Sequence, residues 1–388
     1  MRVKRVVILG STGTIGIKTL EVISRFPGRF RVVGLSAYKN SSLFLKQLKT
    51  FTPAVAAAGK KKIAFLKKNL PGRRTKIIDA ETGLASLAAM KLADIVVIGI
   101  SGGAALAPFL AAVESGKTVA PANKEALVMA GDILMAEARR HKARVIPVDS
   151  EQSAIFQCLE GQRRRDVHKI HLTASGGALG DVPRSRFDRL RIEDVLNHPR
   201  WKMGKKITVD SATLMNKGFE VIEAQKLFGL DVNDIEVVVH PEAIIHSMVS
   251  FRDGSVLAQM GVTDMRLPIQ YALTYPDRWD SSLRPIDFVK LRQLTFRKPD
   301  GNKFPCLPLA VEAAWKGKTY PCVLASADEE AVRAYLDRKI SFTDIYRIVA
   351  KVLRRHRPGT GRADLNDILA ADRWAREEVK RILAIGRP

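Results

Sequence analysis

Cysteine is scarce in this chain of 388 residues: Cys158, Cys306 and Cys322 are scattered and odd in number. That argues against a disulfide framework and against a thiolate zinc site, and points to a reduced, cytoplasmic setting. Long apolar runs are lacking too. The most membrane-like window, IVVIGISGGAALAPFLAAV at 95–113, is interrupted by Ser101, Gly102, Gly103 and Pro108. It reads as strand, loop and helix rather than as a span, so no membrane partner is expected. The apolar run KRVVILG starts almost at Met1, and the expectation is a chain without a secretory or transit peptide.

Acidic residues are in deficit, 40 against 64 Lys and Arg, giving a formal net charge of +24. A nucleic-acid surface would interleave that charge with aromatics along a stripe. Aromatics amount to only 6% here, and the basic residues are dispersed apart from short clusters such as GKKK and GQRRRD. We therefore expect no nucleic-acid partner. A phosphorylated substrate, or merely a basic overall composition, accounts for the sign. Internal repeats and low-complexity segments are missing as well.

What is present begins with alternation. RVVILG, FRVVGLSA, ADIVVIGI, TVAP and ARVIPV read as strands, separated by helical patterns such as TIGIKTLEVISRF, SLFLKQLKTF and LAPFLAAVESG. Strands alternating with helices predict a parallel sheet covered on both faces. From Asp149 to about 285 the runs KIHLTAS, IEVVVHP, HSMVSF and SVLAQMG accompany one long helical pattern, ATLMNKGFEVIEAQKLFG. This predicts an α+β domain. A proline-rich link with Pro285, Pro299, Pro305 and Pro308 leads to a helical tail, where Ser341 and Asp344 form a capping-box pattern. The boundaries read are 1–148, 149–285, a linker 286–308 and 309–388.

Several short stretches carry chemistry, each with a plainer alternative. Gly10-Ser-Thr-Gly13-Thr-Ile-Gly16 lies between a strand and a helix, where free N–H groups can receive a pyrophosphate; otherwise it is an ordinary βα turn. The second strand ends in LSAYKN, without the acid that usually meets an NAD ribose. Lys39 there favours the 2′-phosphate of NADP, unless it is only a solvated lysine. Asn123-Lys124-Glu125 follows a strand at the usual ligand edge of a parallel sheet, or simply starts a helix. Ser175-Gly176-Gly177 is an anion nest or a flexible loop.

VDSEQS places Asp149 and Glu151 around Ser150 directly after ARVIPV. Two such carboxylates repel unless solvated or bridged by something positive. Asn216, Lys217 and Glu220 fall within about 100° of one helical face, either as a site or as an ordinary i,i+3 pair. NHPRWKMGKK, residues 197–206, carries His198, Trp201, Met203 and Gly204 among cationic residues. It reads as a loop able to close over a ligand, or as a surface loop anchored by its tryptophan.

Taken together, GSTGTIG, ANKE, PVDSEQSAIFQ, SGG, HPRWKMGKKITVDSATLMNKGFEVIEA and HPEAIIHSMVSFRDGSVLAQ closely resemble the 1-deoxy-D-xylulose 5-phosphate reductoisomerases, in order and spacing over essentially the whole chain. The resemblance implies an α/β chain with an N-terminal Rossmann-like dinucleotide-binding domain, a central α+β catalytic domain and a C-terminal helical domain. It implies an NADPH- and Mg²⁺- or Mn²⁺-dependent enzyme of the non-mevalonate isoprenoid pathway, acting on a small phosphorylated sugar as a cytoplasmic homodimer. By family pattern, Asp149, Glu151 and Glu220 are metal ligands. Lys124, Ser150, Ser175, His198, Ser211, Asn216 and Lys217 surround the substrate, with Trp201 in the mobile flap. Thr12, Gly13, Thr14, Ile15, Lys39, Asn40, Asn123, Glu125 and Gly204 match NADPH-contacting positions. This chain departs from the pattern at Thr14, at Tyr38 and Ala174 where glycine is common, and at ASADEEAV in place of NAANE.

Overall fold

The computed structural model describes residues 2–70, 75–201 and 203–386. Lys202, within the 197–206 loop, lies outside the described residues. The chain forms two compact units: Met1–Ala126, Leu134–Ser153 and Asp264–Leu283 make the first, and Leu127–Ile133, Ala154–Thr263 and Arg284–Pro388 the second.

The first unit is built on a seven-stranded sheet. In chain order its strands are β1 (Lys4–Leu9), β2 (Phe30–Ala37), β3 (Val55–Ala58), β4 (Lys76–Asp79), β5 (Ile95–Ile98), β6 (Thr118–Pro121) and β7 (Arg144–Val145). They lie in the order β4-β3-β2-β1-β5-β6-β7, with every pairing parallel. Val6, Val7, Ile8 and Leu9 of the central strand are each 0% exposed, as a strand covered on both faces must be. The expected parallel α/β sheet is therefore present. Its C-terminal edge is the site-bearing edge, and the order reverses at β1 and β5, where ligands of open α/β sheets bind.

ARVIPV forms only the two-residue β7, because Pro121 on the facing β6 has no N–H to return to Ile146. Its pairing nevertheless continues: Ile146 N donates to Val119 O at 2.9 Å and Val148 N to Pro121 O at 2.9 Å. That carries the chain in register with β6 up to Asp149.

The second unit holds a four-stranded sheet of β8 (Val167–Ala174), β9 (Ile235–Val239), β10 (Ile245–Phe251) and β11 (Val256–Met260), ordered β11-β10-β8-β9. β8 and β9 are parallel, and β10 runs antiparallel to both β8 and β11. The helices Cys306–Lys316, Tyr320–Leu336, Phe342–Arg355 and Leu365–Ala384 form its C-terminal part. The Ser341–Asp344 capping box is formed as the pattern predicted.

The single long helix expected over ATLMNKGFEVIEAQKLFG is in fact two, Lys205–Thr213 and Met215–Phe228, and the first begins within the loop expected over 197–206. Leu214 between them has φ +58°. The Thr213 hydroxyl holds this break, donating to Asp210 O at 3.1 Å and accepting from Met215 N at 3.2 Å. No glycine or proline marks the break in the sequence.

Candidate functional site

The turn after β1 is shaped by backbone contact. Gly10 has φ +86°, and a Cβ there would lie 2.8 Å from Gly99 O; one on Gly16 would lie 2.4 Å from Gly10 O. Only glycine fits both places. Gly13 caps the Thr14–Arg25 helix without a side chain, and no acid occupies its first turn. Thr12 and Ile15 are half-buried and Thr14 exposed around the open N–H groups. That helix end suits an anion. The sequence reading missed what braces it. Ser11 Oγ donates to Gln47 Oε1 at 2.7 Å, Gln47 Nε2 donates to Ser11 O at 2.8 Å, and Ser36 Oγ accepts from Gly10 N at 2.9 Å. A glutamine on a helical inner face is the one signal that could have shown it.

Lys39 and Asn40 stand exposed after β2, where Asn40 caps the Ser41–Phe51 helix by accepting from Leu43 N at 3.1 Å. Tyr38 turns its hydroxyl to Glu81 Oε1 at 2.9 Å. Asn123 is buried and splits its amide: Nδ2 donates to Gly102 O at 3.1 Å, and Oδ1 accepts from Ala126 N at 2.9 Å. Glu125 opens the following helix, half-buried.

Adjacent strands explain the next pairing. Lys124 lies just beyond β6 and Asp149 just beyond the extended β7, so parallel neighbours deliver them to the same edge. The Lys124 ammonium forms an ion pair with Asp149, their side chains only 7% and 12% exposed. Asp149 O accepts from Ser153 N at 2.8 Å, and Ser150–Leu159 is a helix. Two carboxylates thus sit at a helix N-terminus, where the dipole favours anions. Ser150 Oγ donates to Glu151 Oε2 at 2.5 Å and holds that carboxylate in one rotamer.

In the second unit, Ser175, Gly176 and Gly177 follow β8, with φ +89° and +67° at the two glycines. A Cβ on Gly177 would lie 2.5 Å from Ser211 O and 3.3 Å from Ser211 Oγ, so the loop and Ser211 are in contact. Ser175 Oγ also lies 3.3 Å from His198 Nε2. His198 Nδ1 accepts from Arg200 N at 3.1 Å and Trp201 N at 2.9 Å. With Nδ1 an acceptor, the ring proton belongs on Nε2, facing Ser175. Burial pushes the His198 pKa below its ordinary value, which keeps the ring neutral. Trp201 is half-buried, and Gly204 opens the next helix at an exposed position.

Asn216, Lys217 and Glu220 share one face, as their spacing predicted. The Lys217 ammonium forms an ion pair with Glu220, their side chains 4% and 1% exposed. Asn216 Nδ2 donates to Glu220 Oε1 at 2.5 Å. Asn216 Oδ1 is buried with no hydrogen-bond partner among the described residues, an acceptor held ready for a donor. The described residues include no helix long and apolar enough to cross a membrane.

Family models described as 1-deoxy-D-xylulose 5-phosphate reductoisomerase, its C-terminal domain, and the DXP reductoisomerase C-terminal domain match residues 6–131, 145–228 and 260–378. A 1-deoxy-D-xylulose 5-phosphate reductoisomerase of Pelotomaculum thermopropionicum is 50% identical over 96% of this chain and 97% of its own length. That of Heliobacterium modesticaldum is 48% identical over 99% of both. Among solved structures, the Zymomonas mobilis enzyme in complex with NADPH is similar at TM-score 0.92 and 39% identity, over 98% of this chain and 99% of its own. A DOX-P reductoisomerase in complex with NADPH, fosmidomycin and magnesium is similar at TM-score 0.93 and 38% identity, over 99% of both. Half-identity sustained over nearly the full length of both proteins leaves no other assignment: the chain belongs to the 1-deoxy-D-xylulose 5-phosphate reductoisomerase family.

Proposed function

We infer that this chain catalyses the NADPH- and divalent-metal-dependent rearrangement and reduction of 1-deoxy-D-xylulose 5-phosphate to 2-C-methyl-D-erythritol 4-phosphate, a step of isoprenoid precursor biosynthesis. The observation that carries this is the full-length likeness to the reductoisomerase solved with NADPH, fosmidomycin and magnesium.

Asp149, Glu151 and Glu220, with one carboxylate oxygen each, would hold Mg²⁺ or Mn²⁺. Hard oxygen donors suit those cations. Asp149 and Glu220 each already face a lysine ammonium within their own unit, which fixes where their carboxylates lie. When bound, the metal polarises the substrate carbonyl and NADPH supplies the hydride.

The chain's own residues orient and enclose. Lys124 fixes Asp149 and reaches the substrate, and Ser150 holds Glu151 while contacting the substrate. Lys217 lays a point charge on the phosphate, while Ser175, His198 and Ser211 donate hydrogen bonds around it. Asn216 Oδ1 accepts from a substrate hydroxyl. Trp201 closes over the sugar and keeps water from the intermediate aldehyde. Thr12, Gly13, Thr14 and Ile15 receive the pyrophosphate at the helix end, Lys39 and Asn40 the 2′-phosphate, and Asn123, Glu125 and Gly204 the nicotinamide half. On this reading residues 1–148 serve NADPH apart from Lys124, 149–285 serve metal and substrate apart from Gly204, and 286–308 joins them to the helical 309–388.

The enzyme works in the cytoplasm as a homodimer. The edge strand β11, with Val256 and Leu257 exposed at 52% and 41%, supports a second copy as its cover. The deciding assay follows NADPH oxidation with 1-deoxy-D-xylulose 5-phosphate, with and without Mg²⁺ or Mn²⁺, and identifies the product by NMR. Metal-dependent formation of 2-C-methyl-D-erythritol 4-phosphate is expected. Reduction of a different aldehyde without metal would instead make the chain another NADPH-dependent dehydrogenase.

A further inference from the structure

One buried charge cluster of the second unit has no part in the chemistry above. Lys206, the second residue of the Lys205–Thr213 helix, places its ammonium 2.5 Å from Asp210, one turn on, and 3.1 Å from Asp328 on the Tyr320–Leu336 helix. The same ammonium lies 4.7 Å from the centre of the Phe219 ring on the Met215–Phe228 helix. Asp210 and Asp328 are 2% and 0% exposed. One cation therefore joins three helices and faces two buried carboxylates.

An ordinary i,i+4 pair would need neither Asp328 nor the face of Phe219. The two carboxylates are felt nearby: burial first, and then Asp328 and Asp210, push the Cys306 thiol far above its ordinary pKa. Burying charge in this way costs stability that apolar packing would not. Asp328 also lies in ASADEEAV, where this chain departs from the family pattern.

The cluster's position in the chain gives it a use. Lys206 is the last residue of the 197–206 stretch that carries His198 and Trp201. Phe219 sits between Lys217 and Glu220. We propose that Lys206 is a positioning residue for the reaction: gripped by Asp210 and Asp328 and laid against Phe219, it pins the downstream end of the 197–206 loop to the helix that carries Lys217 and Glu220. Closure of the loop then brings His198 and Trp201 to one fixed place over the substrate. This rests on the reading that the loop covers substrate.

The test uses the full-length protein and two readouts, native-state trypsin cleavage after Arg200 and Lys205, and steady-state kinetics. The variant Lys206→Met with Asp328→Asn removes the tie but leaves the net formal charge unchanged, since one cation and one anion go together. Loop cleavage should rise, and kcat/KM for 1-deoxy-D-xylulose 5-phosphate fall, each by about tenfold, since small misplacements of catalytic groups are costly. The NADPH dissociation constant should stay unchanged, and Lys206→Arg should recover most of both effects.

Loop cleavage and kcat/KM within about twofold of wild type would overturn the proposal. So would a rise in cleavage spread evenly along the chain, which marks general destabilisation. If the double variant does not fold, the near-isosteric Asp328→Asn alone decides on the same two readouts. If the wild-type protein does not turn over the substrate, the functional reading fails, and loop cleavage alone still shows whether Lys206 pins the loop.

Discussion

The two carboxylate–lysine pairs of this molecule look alike and are made differently. Lys124 and Asp149 lie far apart in sequence and meet because neighbouring parallel strands end side by side. Lys217 and Glu220 lie one helical turn apart and would pair in any helix. An exposed pair of the second kind is worth only about 0.2–0.5 kcal/mol. This one has side chains only 4% and 1% exposed, where each ion costs on the order of several kcal/mol to desolvate. A helix that wanted only stability would put apolar residues there. Burial, rather than spacing, separates a working pair from a surface ornament.

The largest effect expected is on the carboxylate of the buried pair. Glu220→Gln removes a proposed metal ligand and should lower kcat by about 10³-fold, taking several kcal/mol of Lewis-acid stabilisation at about 1.4 kcal/mol per tenfold. NADPH binding, measured by nucleotide fluorescence, should stay within about twofold, since NADPH is assigned to other residues. Near-normal turnover by Glu220→Gln would reduce the pair to helix stabilisation.

Next comes its cation. Lys217→Ala should raise the substrate KM by about 10–100-fold and also lower kcat, because binding energy on the phosphate orients the reacting end. Lys217→Arg should recover only part, since a planar fork replaces a point charge. An unchanged KM with a clearly lower melting temperature would show a structural ion pair instead.

A smaller effect sharpens the contrast from the stability side. Replacing the whole buried pair, Lys217→Met with Glu220→Gln, should abolish activity while leaving the melting temperature unchanged or about 2–4 °C higher. A large loss of stability, read by calorimetry, would mean that the pair holds the helix in place.

The smallest effect concerns pH. The folded-state pKa of His198 is lowered by burial, so the unfolded chain binds this proton more readily. Its contribution to stability is complete above the ordinary histidine value of about 6.5 and is lost as the pH falls below it. Protonation would also turn Nδ1 from an acceptor into a donor facing Arg200 N and Trp201 N. His198→Asn should therefore lose less melting temperature between pH 8 and pH 5.5 than wild type does. An identical loss in both would assign the acid sensitivity to other groups.

Where the sequence was legible, local rules and the final packing agreed. GSTGTIG could be read because a strand, a turn and a helix each left their own pattern, and the glycines at 10 and 16 answer contacts a Cβ would break. The capping box at Ser341 is similarly local. β3 and β4 went unread because VAAA and KIID are four residues each, and alanine has little strand preference. The break at Leu214 was hidden because a threonine hydroxyl, and no glycine, makes it. The Lys124–Asp149 pair and the Lys206 cluster were hidden for another reason: both depend on which elements become neighbours, and periodicity does not carry that. The site residues themselves were legible only as a set, through resemblance. Taken singly, Asn123-Lys124-Glu125 or Asn216-Lys217-Glu220 could equally be a helix start or a surface pair.

The central claim is that Asp149, Glu151 and Glu220 serve one metal ion. Titrating Mn²⁺ into the wild-type protein, Asp149→Asn and Glu220→Gln, with free Mn²⁺ read by electron paramagnetic resonance, tests it without any turnover. The account predicts one tight site in the wild type, weakened by about tenfold or more in either variant. Wild-type affinity retained in both variants would contradict it.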